Sequence, residues 1–258
     1  MIEALTALTE LAGPTALAAF AVFLRVGAAM ALLPAFGEQT IPARVKLGIA
    51  FGFTVIVAPS VVEDLPALSA QEVAGRLLLS ETIIGLSLGA VLRLFVIALQ
   101  LAGAMAAQSV SISQIMGGAG IDPQPAIGHI MVVAGLAIAV IMGLHVKTAQ
   151  FLIYSYDLMP PGRLPRPGDL LSWGVARVAR AFGLGFGLAM PFVITSLLYN
   201  LTLGVINRAM PQLMVAFVGA PAITLGGLLM LALSLPFALE VWISAMDTFL
   251  ANPTGDAP

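Results

Sequence analysis

Charged residues punctuate this chain, and the stretches between them are long and apolar. Residues 47–62, 94–121, 123–146, 181–207 and 209–239 contain no Asp, Glu, Lys or Arg, and Arg25 alone separates residues 11–24 from 26–37. A membrane-spanning helix needs about 20 mainly apolar residues to cross a hydrocarbon core of roughly 30 Å, and several of these runs reach that length. The pattern predicts six helical regions, at 11–36, 43–62, 70–108, 124–156, 170–207 and 211–250. Barrel strands would alternate apolar and polar residues over about 10 positions, whereas runs such as Met131–Leu144 are continuously apolar. The predicted fold class is therefore all-α, a polytopic membrane protein with six long helical regions.

Prolines and glycines shape these helices. Pro191 interrupts the fifth region, and Pro221 and Pro236 interrupt the sixth. Proline removes one helix hydrogen bond and crowds the preceding turn, so kinks braced by neighbouring helices are expected. Gly85 with Gly89, and Gly183 with Gly187, form small-residue stripes on which helix backbones approach closely. Packing within the chain is the simpler account of both stripes, and contact with a partner chain is the alternative.

Loop charges complicate the topology. Arg44 and Lys46 favour a cytoplasmic 38–46 loop, yet Arg163, Arg166, Arg177 and Arg180 favour the same side for 157–180. Six ordinary spans would put those loops on opposite sides. Either one region does not cross fully, or the helices mature into an assembly that does not leave each one in plain lipid.

Composition narrows the class. Sixty per cent of the 258 residues are apolar and 9% are charged, against about 25% charged in a soluble domain. With a mean hydropathy of +1.04, one soluble globule could not hide so much apolar surface. The net charge is −2 and no basic cluster interleaves with aromatics, so nucleic acid is not an expected partner. No cysteine is present, which excludes disulfides, thiolate metal sites and thiol catalysis. Glu3 and Glu10 near the start argue against a cleaved secretory leader.

A few polar residues stand out against this background. Arg25 lies within an apolar stretch, where an isolated charge costs about 2.5–3.5 kcal/mol on insertion scales; it either snorkels to the surface or pairs inside an assembly. Glu81 shares a face with Gly85 and Gly89, which suggests a buried contact with a partner or an interfacial helix end. Glu72 and Arg76 fit a surface i,i+4 pair. The stretch Gln108–Asp122, QSVSISQIMGGAGID, carries serines, glutamines and glycines with no charge before Asp122, and Pro123 and Pro125 then stop any helix. It reads as a surface turn or as irregular backbone lining a conduit, with Ile115 and Met116 as deformable apolar stoppers. His129 and His145 have no second ligand at metal spacing. No phosphate loop, serine elbow or acid–base set occurs, so no metal, cofactor or catalytic residue is expected.

Asn200–Gly219, NLTLGVINRAMPQLMVAFVG, reads as a helix end, a polar tip and a new helix start, with Pro211 placed as a first-turn proline. It closely resembles the signature of the FliR/SctT family of type III export-gate proteins. Phe23–Lys46, FLRVGAAMALLPAFGEQTIPARVK, resembles that family's amino-terminal pattern, Glu81–Gly89 its Glu-x-x-Ile-Gly segment, and Asp122–Pro123 the Asp-Pro after its central loop. The chain departs from commoner patterns at Ala104 and at Gly143–Lys147, while the uncharged VGAPA from Val218 to Ala222 looks more flagellar than injectisome-like.

The resemblance implies a non-enzymatic subunit of the flagellar export gate. Such a subunit assembles with FliP- and FliQ-like partners into a channel entrance that lies partly above the membrane plane, with FlhB- and FlhA-like proteins adjoining. It implies a FliP-like part over residues 1–160, a FliQ-like hairpin over 161–250 and a tail at 251–258. It places the protein in the bacterial inner membrane within the flagellar basal body, in contact with lipid and with unfolded exported proteins. Gln108, Ser111, Ser113, Gln114, Ile115, Met116, Gly117, Gly118 and Gly120 would plug the channel. Arg25, Glu81, Asn200, Asn207, Arg208, Pro211 and Gln212 would shape the hairpin and contact partners. An injectisome subunit is the nearest alternative. A secondary transporter would show inverted repeats around a midplane site, and none is evident in the sequence.

Overall fold

The computed structural model describes residues 2–62, 75, 77–110, 126–210 and 215–255, with side chains from residue 16 and outside 110, 126 and 215–224. Every regular element among them is helical: α1 (Ile2–Met30), α2 (Ala43–Val61), α3 (Leu78–Val110), α4 (Ala126–Ile141), α5 (Leu144–Leu158), α6 (Pro167–Ala209) and α7 (Val215–Ala251). α2, α3, α6 and the described part of α7 are each long and apolar enough to cross a membrane.

Most predicted regions appear close to their expected bounds, with four physical corrections. The first helix ends at Met30 rather than near residue 36, because Pro34 disfavours helical backbone at Leu33 and Ala35 takes a left-handed φ of 66°. The fourth region is two helices bent by 76°, and Gly143, at φ 82°, begins the second of them. Only glycine adopts that conformation without a Cβ penalty. The third helix runs on through Gln108 to Val110. Pro191, Pro221 and Pro236 do not interrupt α6 or α7, since one lost hydrogen bond is tolerated in a long helix when neighbours re-satisfy the freed groups.

The chain divides into two compact units, each drawing on both halves of the sequence. The first comprises Met1–Leu94, Ala139–Arg177 and Thr248–Pro258. Here α1 packs on α2, and α2 on α5. A Cβ on Gly85 would collide with the Arg25 carbonyl and Ala28, and one on Gly89 would meet Ala29 and Leu32, so this stripe serves close packing within the chain. The 31–42 connection is tied down by Lys46, whose Nζ donates to the Gly37 carbonyl, and by an Arg93–Glu38 ion pair.

The second unit comprises Phe95–Ile138 and Val178–Asp247. Its centre is the apolar second half of α3, where Val96, Ala98, Leu99, Ala102 and Ala106 are fully buried. α4 approaches so closely that a Cβ on Gly103 would strike the Gly128 backbone. Gly135 leaves room for Leu99 and Trp242, and the Trp242 indole donates to the Phe95 carbonyl at 2.8 Å. α6 packs at Gly185, against the Ala98 carbonyl and Leu101. Gly183 and Gly187, expected to pack, face open space instead.

Candidate functional site

Among the described residues, polar clusters interrupt this apolar architecture in both units. In the first unit Arg25 and Glu81, both fully enclosed, pair at 2.7 Å from Nε to Oε2. Arg25 spends its remaining donors on one short segment. Nη1 donates to the Ser155 carbonyl at 3.0 Å and to its hydroxyl at 3.2 Å, and Nη2 donates to the Met159 carbonyl at 2.9 Å. The guanidinium also lies 3.7 Å from the centre of the Tyr156 ring, a favourable cation–π geometry when desolvated.

Glu81 is equally well supplied. Its Oε1 accepts from the Gly162 backbone N–H at 3.1 Å and from the Ser80 hydroxyl at 3.3 Å. Gly162 takes a φ of 73°, which its lack of a Cβ permits in the Pro160–Pro161–Gly162 turn. The pair thus fastens α1 and α3 to the end of α5 and to the turn that leads into α6. Burying two charges is repaid only when geometry is good and remaining polar atoms are satisfied; both carboxylate oxygens and all three guanidinium nitrogens have a partner here, while the buried Tyr156 hydroxyl has none among the described residues.

This corrects the expectation for both residues. Arg25 neither snorkels nor reaches outward, and Glu81 offers no surface to another chain; each satisfies the other within one unit. Ser80, Ser155, Tyr156, Met159 and Gly162 complete the cluster and were not singled out from the sequence. The Pro-Pro-Gly turn was the one local signal for them.

A second anchor in the same unit holds the segment that follows α7. The Trp173 indole and Arg177 Nη2 both donate to the Pro253 carbonyl, at 3.1 and 2.8 Å. The Arg177 guanidinium lies 5.1 Å from the Phe249 ring centre. The segment after α7, expected as a tail, is therefore bound to the first turns of α6 as far as Gly255.

In the second unit polar side chains of α6 meet α3 at Ser109. Ser196 on α6 donates its hydroxyl to the Ser109 carbonyl at 2.6 Å, and Asn200 Nδ2 donates to the Ser196 hydroxyl at 3.2 Å. Gln108 is exposed on α3. Ser111, Ser113, Gln114, Ile115, Met116, Gly117, Gly118 and Gly120 lie outside the described residues. So do Pro211, Gln212, Glu72 and Arg76. Asn207 and Arg208 are exposed in the last turn of α6, where a cation complements the helix dipole. His129 and His145 are exposed, and no group of three or more acidic or histidine side chains among the described residues is arranged to hold a metal.

Comparison with known proteins adds a chain-long likeness. Residues 16–249 match the family described as bacterial export proteins, family 1. The chain is 34% identical over 224 residues to the flagellar biosynthetic protein FliR of Caulobacter vibrioides, covering 86% of this chain and 89% of that protein. It is 29% identical over 245 residues to FliR of Escherichia coli, covering 91% and 92%. The likeness to the secretion system apparatus protein SsaT of Salmonella typhimurium is 33% over 101 residues, or 39% of each chain.

Proposed function

The chain belongs to the bacterial export proteins, family 1, and from that premise we propose that it is a non-enzymatic subunit of the flagellar type III protein export gate. The observation that carries this reading is the likeness to flagellar FliR proteins along nearly the whole chain. The injectisome relative is matched over 39% of its length, which favours the flagellar assignment.

In this reading the protein sits in the inner membrane at the flagellar basal body. It forms the channel entrance with FliP- and FliQ-like subunits, beside FlhB- and FlhA-like proteins. Residues 1–160 act as the FliP-like part and 161–250 as the FliQ-like hairpin. Asn200, Asn207, Arg208, Pro211 and Gln212 shape the hairpin tip and meet a partner. Exposed apolar side chains along α6 and α7, such as Leu197, Leu201, Leu225 and Phe237, need lipid or protein cover, as a subunit of a membrane assembly requires.

Closure is steric. Gln108–Gly120 occludes the passage and yields to an unfolded chain, with Ile115, Met116 and Gly117 central. The driving force comes from other components. The test is a chromosomal deletion complemented by plasmid copies, with export of flagellar proteins and ion leak of the membrane both measured. The intact copy restores export. A copy lacking Ile115–Gly118 assembles but leaves the membrane permeable to ions. Export that persists without the chain refutes the gate assignment, and a tight membrane around an assembled deletion variant refutes the closure role.

A further inference from the structure

We propose that Glu240 on α7 is a partner-contact residue, whose carboxylate meets a Lys or Arg side chain carried on an otherwise apolar helix of a different subunit. Which assembly this is rests on the gate-subunit reading above; the contact itself rests on described residues of one unit.

α7 turns one face inward and one outward. Leu239, Trp242, Ile243 and Met246 are buried. On the other side Leu225, Leu229, Leu233 and Phe237 recur every four residues, each more than half exposed, and residues three or four apart stack along a helix. Glu240 is the next step of that row and is exposed as well. Among the described residues it has no hydrogen-bond or ion-pair partner. Asp247, two turns further on, is half-buried and engaged.

Neither solvent suits this row. Water suits the carboxylate but not four large apolar side chains in succession. Lipid suits the leucines but not the charge. Snorkelling does not resolve the conflict, because Glu240 stands near the middle of the apolar stretch Leu225–Ala251. The end of α7 at Ala251 lies roughly 16 Å away at 1.5 Å per residue, well beyond the reach of a glutamate side chain. A protein helix whose apolar side chains cover the leucines, and whose single cation meets the carboxylate, suits both. It also sets the height at which two apolar helices meet, the best-attested use of a polar group in such a contact.

The chain solves the same problem internally at Glu81, which pairs with Arg25 at 2.7 Å. Glu240 has no such partner because its cation belongs to another chain. That chain is not a second copy. The apolar runs that α2 and α6 expose, within 47–62 and 181–207, contain no Lys or Arg, and Arg44 and Arg208 stand at the ends of those helices, outside such a face.

The test uses the full chain in its assembly. p-Benzoylphenylalanine placed at Phe237 is irradiated in cells, and its adducts are identified by mass spectrometry. The expected adduct is to an apolar helix of another subunit, with a Lys or Arg within one turn of the attachment. Adducts to phospholipid alone, to a second copy of this chain, or to a helix without such a cation overturn the proposal. In a second arm the complex is recovered in mild detergent. Glu240→Gln should lower recovery of the adduct subunit by about tenfold or more, as expected for stripping one side of an interfacial charge pair. The unfolding midpoint of the chain alone should stay at the wild-type value, because no described residue bonds to Glu240; a lowered midpoint assigns the residue an internal role and overturns the contact. Glu240→Lys should reduce recovery further, and replacing the partner's cation by Glu should restore it. Export in a strain lacking the chain is measured alongside. If Glu240→Gln is recovered like wild type while export needs the chain, the contact is wrong and the gate reading stands. If export proceeds without the chain while recovery still depends on Glu240, the gate reading falls and the contact stands.

Discussion

Replacing Glu81 by Gln tests whether the buried pair organises its unit. The substitution keeps the size of the side chain and leaves an acceptor for the Gly162 N–H. It removes the charge and turns an amide donor toward Arg25 Nε, which now bonds at 2.7 Å. The guanidinium keeps its bonds to Ser155 and Met159 and its place over Tyr156, but it is fully enclosed and has no counter-charge. Breaking a buried pair on one side costs about 3–5 kcal/mol. For a chain of this size each kcal/mol moves the unfolding midpoint by roughly 2–4 °C, so a fall of about 6–20 °C is expected. The assay is thermal unfolding of the purified protein in mild detergent, followed by tryptophan fluorescence. Arg25→Met combined with Glu81→Leu removes both charges and leaves the Met159 carbonyl and Gly162 N–H without their present partners, at about 1–3 kcal/mol each. That double variant should unfold no lower than the worse single one. A Glu81→Gln protein that melts with wild type, or a double variant that loses the sum of both single losses, would refute the assignment.

Glycine substitutions separate inner from outer stripes. Gly103→Ala drives a Cβ into the Gly128 backbone and should cost about 1–3 kcal/mol, while Gly183→Ala meets open space and should be neutral or stabilising by up to about 1 kcal/mol; equal losses of unfolding midpoint would contradict the packing described. Arg177→Met removes a charged donor from the Pro253 and Gly255 carbonyls, worth about 1.5–3 kcal/mol. Carboxypeptidase should then trim the chain past Gly255 faster, read by mass spectrometry, and an unchanged digestion profile would show that the clamp does not hold the end.

The long apolar helices were legible because their signal is summed over many residues: α3 needs no single position to be read correctly. Arg25 and Glu81 were each legible as anomalies but not as a pair. They stand 56 positions apart, and a charge among apolar residues announces that a partner exists without saying where it is. The break at Gly143 was hidden for the opposite reason. Residues 123–146 form one uncharged run, and hydropathy is blind to a backbone angle. The prolines were read as interruptions, whereas α6 and α7 run on through them. Ser196 was invisible too: a serine in an apolar helix ordinarily bonds to its own backbone, and only the neighbouring Ser109 carbonyl reveals that this one reaches across to α3.

The conflict between the loop charges and strict alternation also has a structural root. Alternation presumes that each helix crosses once, straight, and with both ends in water. The fourth region bends by 76° at its midpoint, so it need not count as one crossing. α6 has 43 residues, or roughly 65 Å of helix at 1.5 Å per residue, about twice the thickness of a hydrocarbon core. A helix of that length must leave the lipid along part of its course, and its exposed apolar flank, with Leu197, Leu201 and Val205 each about two-thirds accessible, must then meet protein rather than water. Of the four basic residues, Arg163 and Arg166 lie in the connection before α6, whereas Arg177 and Arg180 lie within its first four turns and so belong to an overlong helix rather than to a loop between two ordinary spans. Arg177 is the sharpest instance, because its guanidinium is turned inward onto the Pro253 carbonyl and so is not available to read the membrane surface at all.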